Sequence, residues 1–311
     1  MPLGLRRGTV SALVEELPGL VRLEVDGLPC VAYPRLTGDV QVGDEVLVNE
    51  QARLLELGSG GFDVLYANLT RGLGLPAEEG AHVIALPYTP GQLALRRGEE
   101  AGESPATLYG TPVVLCTLHS QVAPVCAALA GKRVAYVQVQ GGALPVPLSD
   151  TLRMLRERGL LATTYAVAPC LDADVDCVST AAAFTQAAAH DAIVCAVGPG
   201  IVGTGTRLGH GALSLADAAN TASALDGRPI LAVRTSEADP RERHRGVSHH
   251  AEAVLELCLG QVVVPIDEDG DGWEEASAGL PLAHMGRGPA DDPAFFRAAY
   301  AAGVAARRLL G

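Results

Sequence analysis

The sequence predicts an α/β chain: a Rossmann-like, mostly parallel sheet with helices on both faces, preceded by a small β-barrel-like domain. Three observations carry this reading. From Thr111 onward, continuous apolar runs alternate with segments of helical spacing, as expected of strands buried on both faces by crossover helices. Before residue 80 the runs are shorter, partly alternating, and separated by Gly, Pro, Asp and Asn, which suits a small barrel. Of 311 residues, 48% are hydrophobic and 19% charged, enough to bury the core of one large domain or two smaller ones.

The β unit, residues 1–80, reads as five short strands: Thr9–Val14, Val21–Val25, Cys30–Tyr33, Glu45–Val48 and Phe62–Tyr66. Asp26-Gly27 between two of them is a hairpin signal. No cluster of chemical groups falls in this unit, so packing or homo-oligomerisation is its expected role. Residues 81–107, polar and rich in Pro and Gly, read as a connector. Residues 108–311 form the expected Rossmann-like domain. Its strands are Val113–Leu118, Val134–Val139, Ala162–Val167, Ile193–Val197, Ile230–Val233 and Val262–Pro265. Helical spacing covers Val122–Ala130, Leu148–Arg158, Thr180–Ala189, Leu213–Leu225, Ala251–Leu259 and about Pro293–Leu309. Ser214 with Asp217 reads as a capping box at the start of one helix.

Whole-chain properties exclude several classes of function. A net charge of −13 argues against a nucleic-acid partner, which needs a basic face. No apolar run reaches the roughly 18 residues of a membrane span, and no signal peptide is read at the start, so a cytoplasmic protein is expected. The seven cysteines contain no C-x-x-C and sit mostly in apolar runs, which predicts reduced core thiols.

In a parallel sheet, ligands bind beyond the carboxyl ends of the strands. Here those ends carry His119-Ser120-Gln121, then Gln140-Gly141-Gly142, then the glycine-rich loop Gly198–Gly211, then Arg234–His250. The opposite loops, such as Asp226-Gly227-Arg228, read as plain turns. Three of these stretches, Gln140–Pro145, Val197–Thr206 and Ala238–His250, resemble a bacterial family designated domain of unknown function 3866, over nearly the whole chain. The resemblance implies no activity, because the family has none assigned. Val139-Gln140 departs from the Thr-Asp expected of that family, and Pro169–Cys177 lacks an expected Gly-Gly-Asp.

Gly198-Pro-Gly200-Ile-Val-Gly203 formally matches G-x-G-x-x-G after a strand, and glycines let backbone N–H groups approach a phosphate. Thr204, Gly205, Thr206 and His210 extend the candidate ligand-binding set, with Gly141 and Gly142 beside it. The match falls on the fourth α/β strand, and the loop is long for a dinucleotide fingerprint. Arg234, Arg241 and Arg243 suit an anion clamp, and Asp239 before Pro240 reads as a helix N-cap. His244, His249, His250 and His119 are candidate general acids or bases. Metal binding is weighed and not adopted: adjacent His249 and His250 are expected to diverge, although His119 and His210 from other strand ends allow a three-histidine site. Asp267-Glu-Asp269-Gly-Asp271-Gly272 matches half of an EF-hand loop and reads as an exposed acidic loop, since position twelve is Ala278.

The expected function is an enzyme, its cofactor unknown, that binds an anionic, phosphorylated or nucleotide-like small molecule at the carboxyl edge of the sheet. Two alternatives stay open, a non-catalytic ligand sensor or scaffold and an NADP-dependent oxidoreductase.

Overall fold

A computed structural model describes residues 3–56, 60–102, 105–265 and 270–311. The chain forms two compact units, Met1–Glu79 and Gly80–Gly311. Asp267 and Asp269 of the acidic loop lie outside the described residues.

The first unit is a closed barrel, in the order β1-β2-β3-β5-β4. Its strands are β1 (Leu5–Leu17), β2 (Leu20–Val25), β3 (Leu28–Ala32), β4 (Glu45–Asn49) and β5 (Asp63–Asn68), with single-turn helices α1 (Pro34–Thr37) and α2 (Gln51–Leu54) between them. The long β1 makes closure feasible. Its first half pairs with β4 and its second with β2, and register shifts after Val10 and Leu13 bend it, as bulges do. Alternate residues point inward, so Val10, Leu23, Val25, Cys30, Val46, Val48 and Leu65 make the core. Asp26 and Gly27 both take positive φ, 53° and 76°, the geometry of the hairpin turn their dipeptide favours.

The second unit starts with a hairpin, β6 (Val83–Ala85) and β7 (Leu93–Leu95), within the stretch expected as a connector. Then comes a six-stranded parallel sheet: β8 (Pro112–Cys116), β9 (Val134–Val139), β10 (Thr163–Val167), β11 (Val175–Cys177), β12 (Ala192–Val197) and β13 (Arg228–Ala232), in the order β11-β10-β9-β12-β8-β13. Its helices are α3 (Val122–Ala128), α4 (Asp150–Glu157), α5 (Thr180–Ala187), α6 (Ser214–Ala224) and α7 (His249–Leu257). A short ladder, β14 (Thr235–Ser236) with β15 (Gly246–Val247), precedes α7, and α8 (Trp273–Ala276) and α9 (Pro293–Arg308) follow it.

One expected strand is replaced. Val262–Pro265 makes a single bridge, Val263 to Ile230, and the sixth strand is Val175–Cys177. Pro265 has no N–H to extend a ladder, and Val263 and Val264 are about half exposed. Val-Asp-Cys is too short and too polar to stand out as a strand, yet it pairs fully with β10.

The period-two alternation of each strand divides the core between the two faces. Val114, Cys116, Tyr136, Val194 and Ala196 pack with α3, α4 and α9. Val113, Leu115, Val137, Ile193 and Cys195 pack with α5, α6 and α7. The cysteines are free, and all but Cys258 are buried. Burial pushes the thiols of Cys126 and Cys170 up to about 12, which suppresses the reactive thiolate. The native chain is therefore expected to react slowly with a thiol reagent, at half-buried Cys258 first, and to release all seven thiols on unfolding. Rapid native labelling of Cys116 or Cys195, read by mass spectrometry, contradicts this packing.

Candidate functional site

Strand order decides where the crevice opens. From β8 the chain steps through α3, β9, α4 and β10 toward one edge. It then returns through α5 to insert β12 between β9 and β8. The helices following β8 and β9 pack on one face, and the helix following β12 packs on the other. Loops leaving β12 therefore part from those leaving its neighbours, which makes a topological switch point at the carboxyl end of β12.

The glycine-rich loop leaves β12 at this point, and its glycines serve two purposes. Gly198, Gly211, Gly141 and Gly142 allow backbones to touch. A methyl on Gly142 would sit 2.1 Å from the Gly198 carbonyl oxygen, one on Gly198 2.1 Å from the Ala143 oxygen, and one on Gly211 2.1 Å from the Gly141 oxygen. The Ala143 N–H donates to the Pro199 carbonyl at 2.8 Å, and the Val202 N–H to the Gly141 carbonyl at 2.9 Å. Gly198 thus packs on the neighbouring loop, and Gly200 turns the chain at φ 69°. The segment beyond them is an exposed hairpin. Gly203 pairs with His210, the Thr204 N–H donates to the Gly209 carbonyl at 2.7 Å, and the Thr204 and Thr206 hydroxyls hydrogen-bond at 2.9 Å. Gly205 turns the chain here at φ 82°. Helix α6 starts at Ser214 as expected, but not through a capping box. The Ser214 hydroxyl donates to the Gln140 and Gly211 carbonyls, so it also pins the two loops together.

The segment after β13 is organised by a buried carboxylate. Asp239 is fully buried and is not a helix cap. Arg241 grips it through Nε and Nη2 at 2.9 and 2.8 Å, Arg287 reaches it at 3.2 Å, and Arg234, 2% exposed, lies 3.6 Å away. A second buried carboxylate, Asp292, accepts from the Ser236 hydroxyl, from the Glu237 N–H at 3.1 Å and from Arg287 Nε at 3.3 Å. Three guanidinium groups meet two carboxylates, so the network carries surplus positive charge. Hydrogen bonds from Arg241 hold Asp239 well below the usual carboxylate range. Burial, with the neighbouring arginines, lowers Arg234 to about 10, which leaves it charged at neutral pH. With its head against Asp239 and His250, Arg234 is not free to meet a 2′-phosphate.

The β14–β15 ladder and the Ser248 N–H, which donates to the Arg234 carbonyl at 2.8 Å, return the chain to start α7. The Ser248 hydroxyl caps α7 and lies 2.7 Å from His244 Nδ1. Four imidazoles meet here. His210 stacks on His250 with centroids 3.8 Å apart, His249 lies edge-on to both at 5.5 and 4.5 Å, and His244 lies 4.8 Å from His249. His249 and His250 were expected to diverge; instead they converge around the ring of His210. Burial lowers all four pKa values, to about 3 for His244 and about 2 for His250, with Arg234 adding to the effect, so the cluster is neutral at physiological pH. His119 is not in ring contact with it. Its Nε2 lies 2.6 Å from Ser149 Oγ, and its Nδ1 lies 3.2 Å from the Tyr136 hydroxyl and 3.3 Å from the Val197 carbonyl.

Arg243 is exposed and has no hydrogen bond or ion pair among the described residues. A methyl on Gly205 would sit 3.5 Å from its Nη2, so this guanidinium stands over the tip of the glycine hairpin. Sequence reasoning missed Arg287, Asp292 and Ser236. Of these, only Asp292 before Pro293 carried a signal, that of a helix start. Two surface clefts, of about 340 Å³ beside Asp226–Pro229 and about 390 Å³ beside Trp273–Leu280, lie away from the histidines.

Gly211→Ala is expected to destabilise the chain by about 1–3 kcal/mol in chemical unfolding; an unchanged midpoint contradicts the backbone contact with Gly141. Asp239→Asn leaves three guanidiniums without their shared anion and is expected to cost about 3–5 kcal/mol. Burial lowers His119 to about 4 from 6.5, so in acid the unfolded chain takes up a proton that the folded chain resists. The stability His119 contributes is complete above pH 6.5 and is lost as pH falls toward 4. His119→Gln should therefore flatten the pH dependence of unfolding over that interval.

No curated protein matches the chain. The model of the family described as "Protein of unknown function (DUF3866)" matches residues 29–276, from the third barrel strand through α8, and the chain belongs to that family.

Proposed function

We propose that the second unit binds an anionic small molecule, phosphorylated or nucleotide-like, between the glycine hairpin and the arginine–histidine segment, and acts on it as an enzyme. The observation that carries this reading is Arg243, a guanidinium with no hydrogen bond or ion pair among the described residues, held beside Gly205 at the edge of a buried network that already carries surplus positive charge. In a chain of net charge −13, such a patch draws anions locally. Backbone N–H groups of the hairpin and the amino-terminal ends of α6 and α7 add dipoles of the same sign. The anion is held by Arg243, Thr204, Gly205 and Thr206. Arg234 and Arg241 act indirectly, by fixing the segment around Asp239. The half-buried imidazole of His249, kept neutral by burial, can take a proton from the bound molecule, as a general base requires.

A thermal-shift panel of phosphate, pyrophosphate, nucleotides and sugar phosphates tests this reading. A ligand at 100 times its Kd should raise the melting temperature by about 5–10 °C. Arg243→Ala, which removes no hydrogen bond or ion pair among the described residues, should abolish most of that shift while leaving the unliganded melting temperature nearly unchanged. If no phosphate-bearing compound stabilises the wild type more than this variant, the reading fails.

A further inference from the structure

We propose that His210, His249 and His250 hold a divalent transition-metal ion of the zinc, cobalt or nickel class. One ring nitrogen from each lies within 4.8 Å of the others. A tetrahedral ion with nitrogens at about 2.0–2.1 Å needs them ~3.3 Å apart, so side-chain rotations that draw the rings in by about an ångström close the site. His210 is 7% exposed, and neither of its ring nitrogens makes a hydrogen bond of normal geometry among the described residues; His249 Nε2 is buried and likewise unpaired. Buried polar atoms are rarely left without a partner, and here two such imidazoles face each other. Neutral imidazole suits zinc, cobalt, nickel and copper, whereas magnesium and calcium require oxygen donors. The carboxylate that organises this segment, Asp239, is already taken up by Arg234, Arg241 and Arg287.

The arginines around the histidines set the rest of the coordination. Arg234 Nη1 lies 3.1 Å from His250 Nδ1. A guanidinium only donates, so Nδ1 is the acceptor in the metal-free chain. An ion on Nε2 moves the imidazole proton to Nδ1, and Arg234 then transfers its contact to Asp239, 3.6 Å away. Three neutral ligands leave a fourth position open. In this positive surrounding it is filled by an anion, hydroxide or the phosphate group of the proposed ligand. Only this fourth ligand rests on the anion reading; the three histidines do not, and with the ion in place His249 is a ligand and the hydroxide at the fourth position serves as the base instead.

The test uses the full chain after chelator treatment, with cobalt(II) and zinc(II) chloride titrated by calorimetry and the cobalt spectrum followed in the visible. The expected result is one ion per chain with the absorption of four- or five-coordinate cobalt. His210→Gln and His249→Gln, each confirmed as folded by circular dichroism, should weaken binding by at least about 100-fold, beyond the loss of an outer-shell partner. His82→Gln, an exposed histidine, should bind as wild type. Absence of stoichiometric binding by the wild type, or wild-type affinity in the two variants, overturns the proposal. Should either variant unfold, histidine modification by diethyl pyrocarbonate on the wild type decides: zinc must protect His210 and His249 but not His82, and equal labelling overturns the site. Phosphate stabilisation of a chain that takes up no cobalt or zinc in the titration overturns the metal and leaves the anion reading intact. Metal binding that phosphate does not tighten leaves the histidine site intact and counts against the anion.

Discussion

The buried carboxylate of Asp239 is the interaction on which the candidate site depends. A charge without water must be paired or its burial is unaffordable, and this one is shared among Arg241, Arg287 and Arg234. These arginines come from the end of β13, from the turn after it and from the segment before α9. Their common anion fixes a stretch whose strand pairing is a two-residue ladder. Asp292 extends the same network to Ser236 and the Glu237 backbone. With the stretch fixed, Ser248 is placed to cap α7, and His249 and His250 start that helix facing His210.

The other half of the site is fixed differently, by backbone contact rather than by charge. Glycines at 141, 142, 198 and 211 let two loops approach to distances that any side chain would prevent. The hairpin bearing Thr204–Thr206 therefore projects from a tight base, with His210 at its end. Two loops from different strands, held by different physics, meet at a set of imidazoles with unpaired nitrogens. Arg243, exposed and without a hydrogen bond or ion pair among the described residues, stands over the tip of this hairpin.

Much of this was legible in the sequence because it follows from periodicity. The five barrel runs and the alternation from Thr111 onward predict the strands, since a buried strand must be apolar and a crossover helix must separate parallel neighbours. The loops at the carboxyl ends follow directly, and with them the stretch 198–250. Pairwise geometry was not legible. Adjacent histidines on a helix point apart by rule, and only the tertiary position of His210 brings His249 and His250 around one ring. Asp239-Pro240 has the form of a cap, and nothing local reveals that Arg287, distant in sequence, claims its carboxylate. Gly198-Pro-Gly200 has the form of a phosphate cradle, yet the first glycine is there for Ala143. Val175–Cys177 is a strand only because β10 offers it an edge.

The central claim is that the hairpin and the arginine–histidine segment form a single site. Long-range proton–nitrogen NMR of the histidine rings, together with the backbone amide spectrum, tests it most directly during a pyrophosphate titration of the chelator-treated chain. The account predicts that the His210 and His249 rings and the Gly205 amide shift together along one saturable curve, while His82 and His190 stay still. Shifts confined to one of the two loops, or equal shifts at His82 and His190, would contradict it.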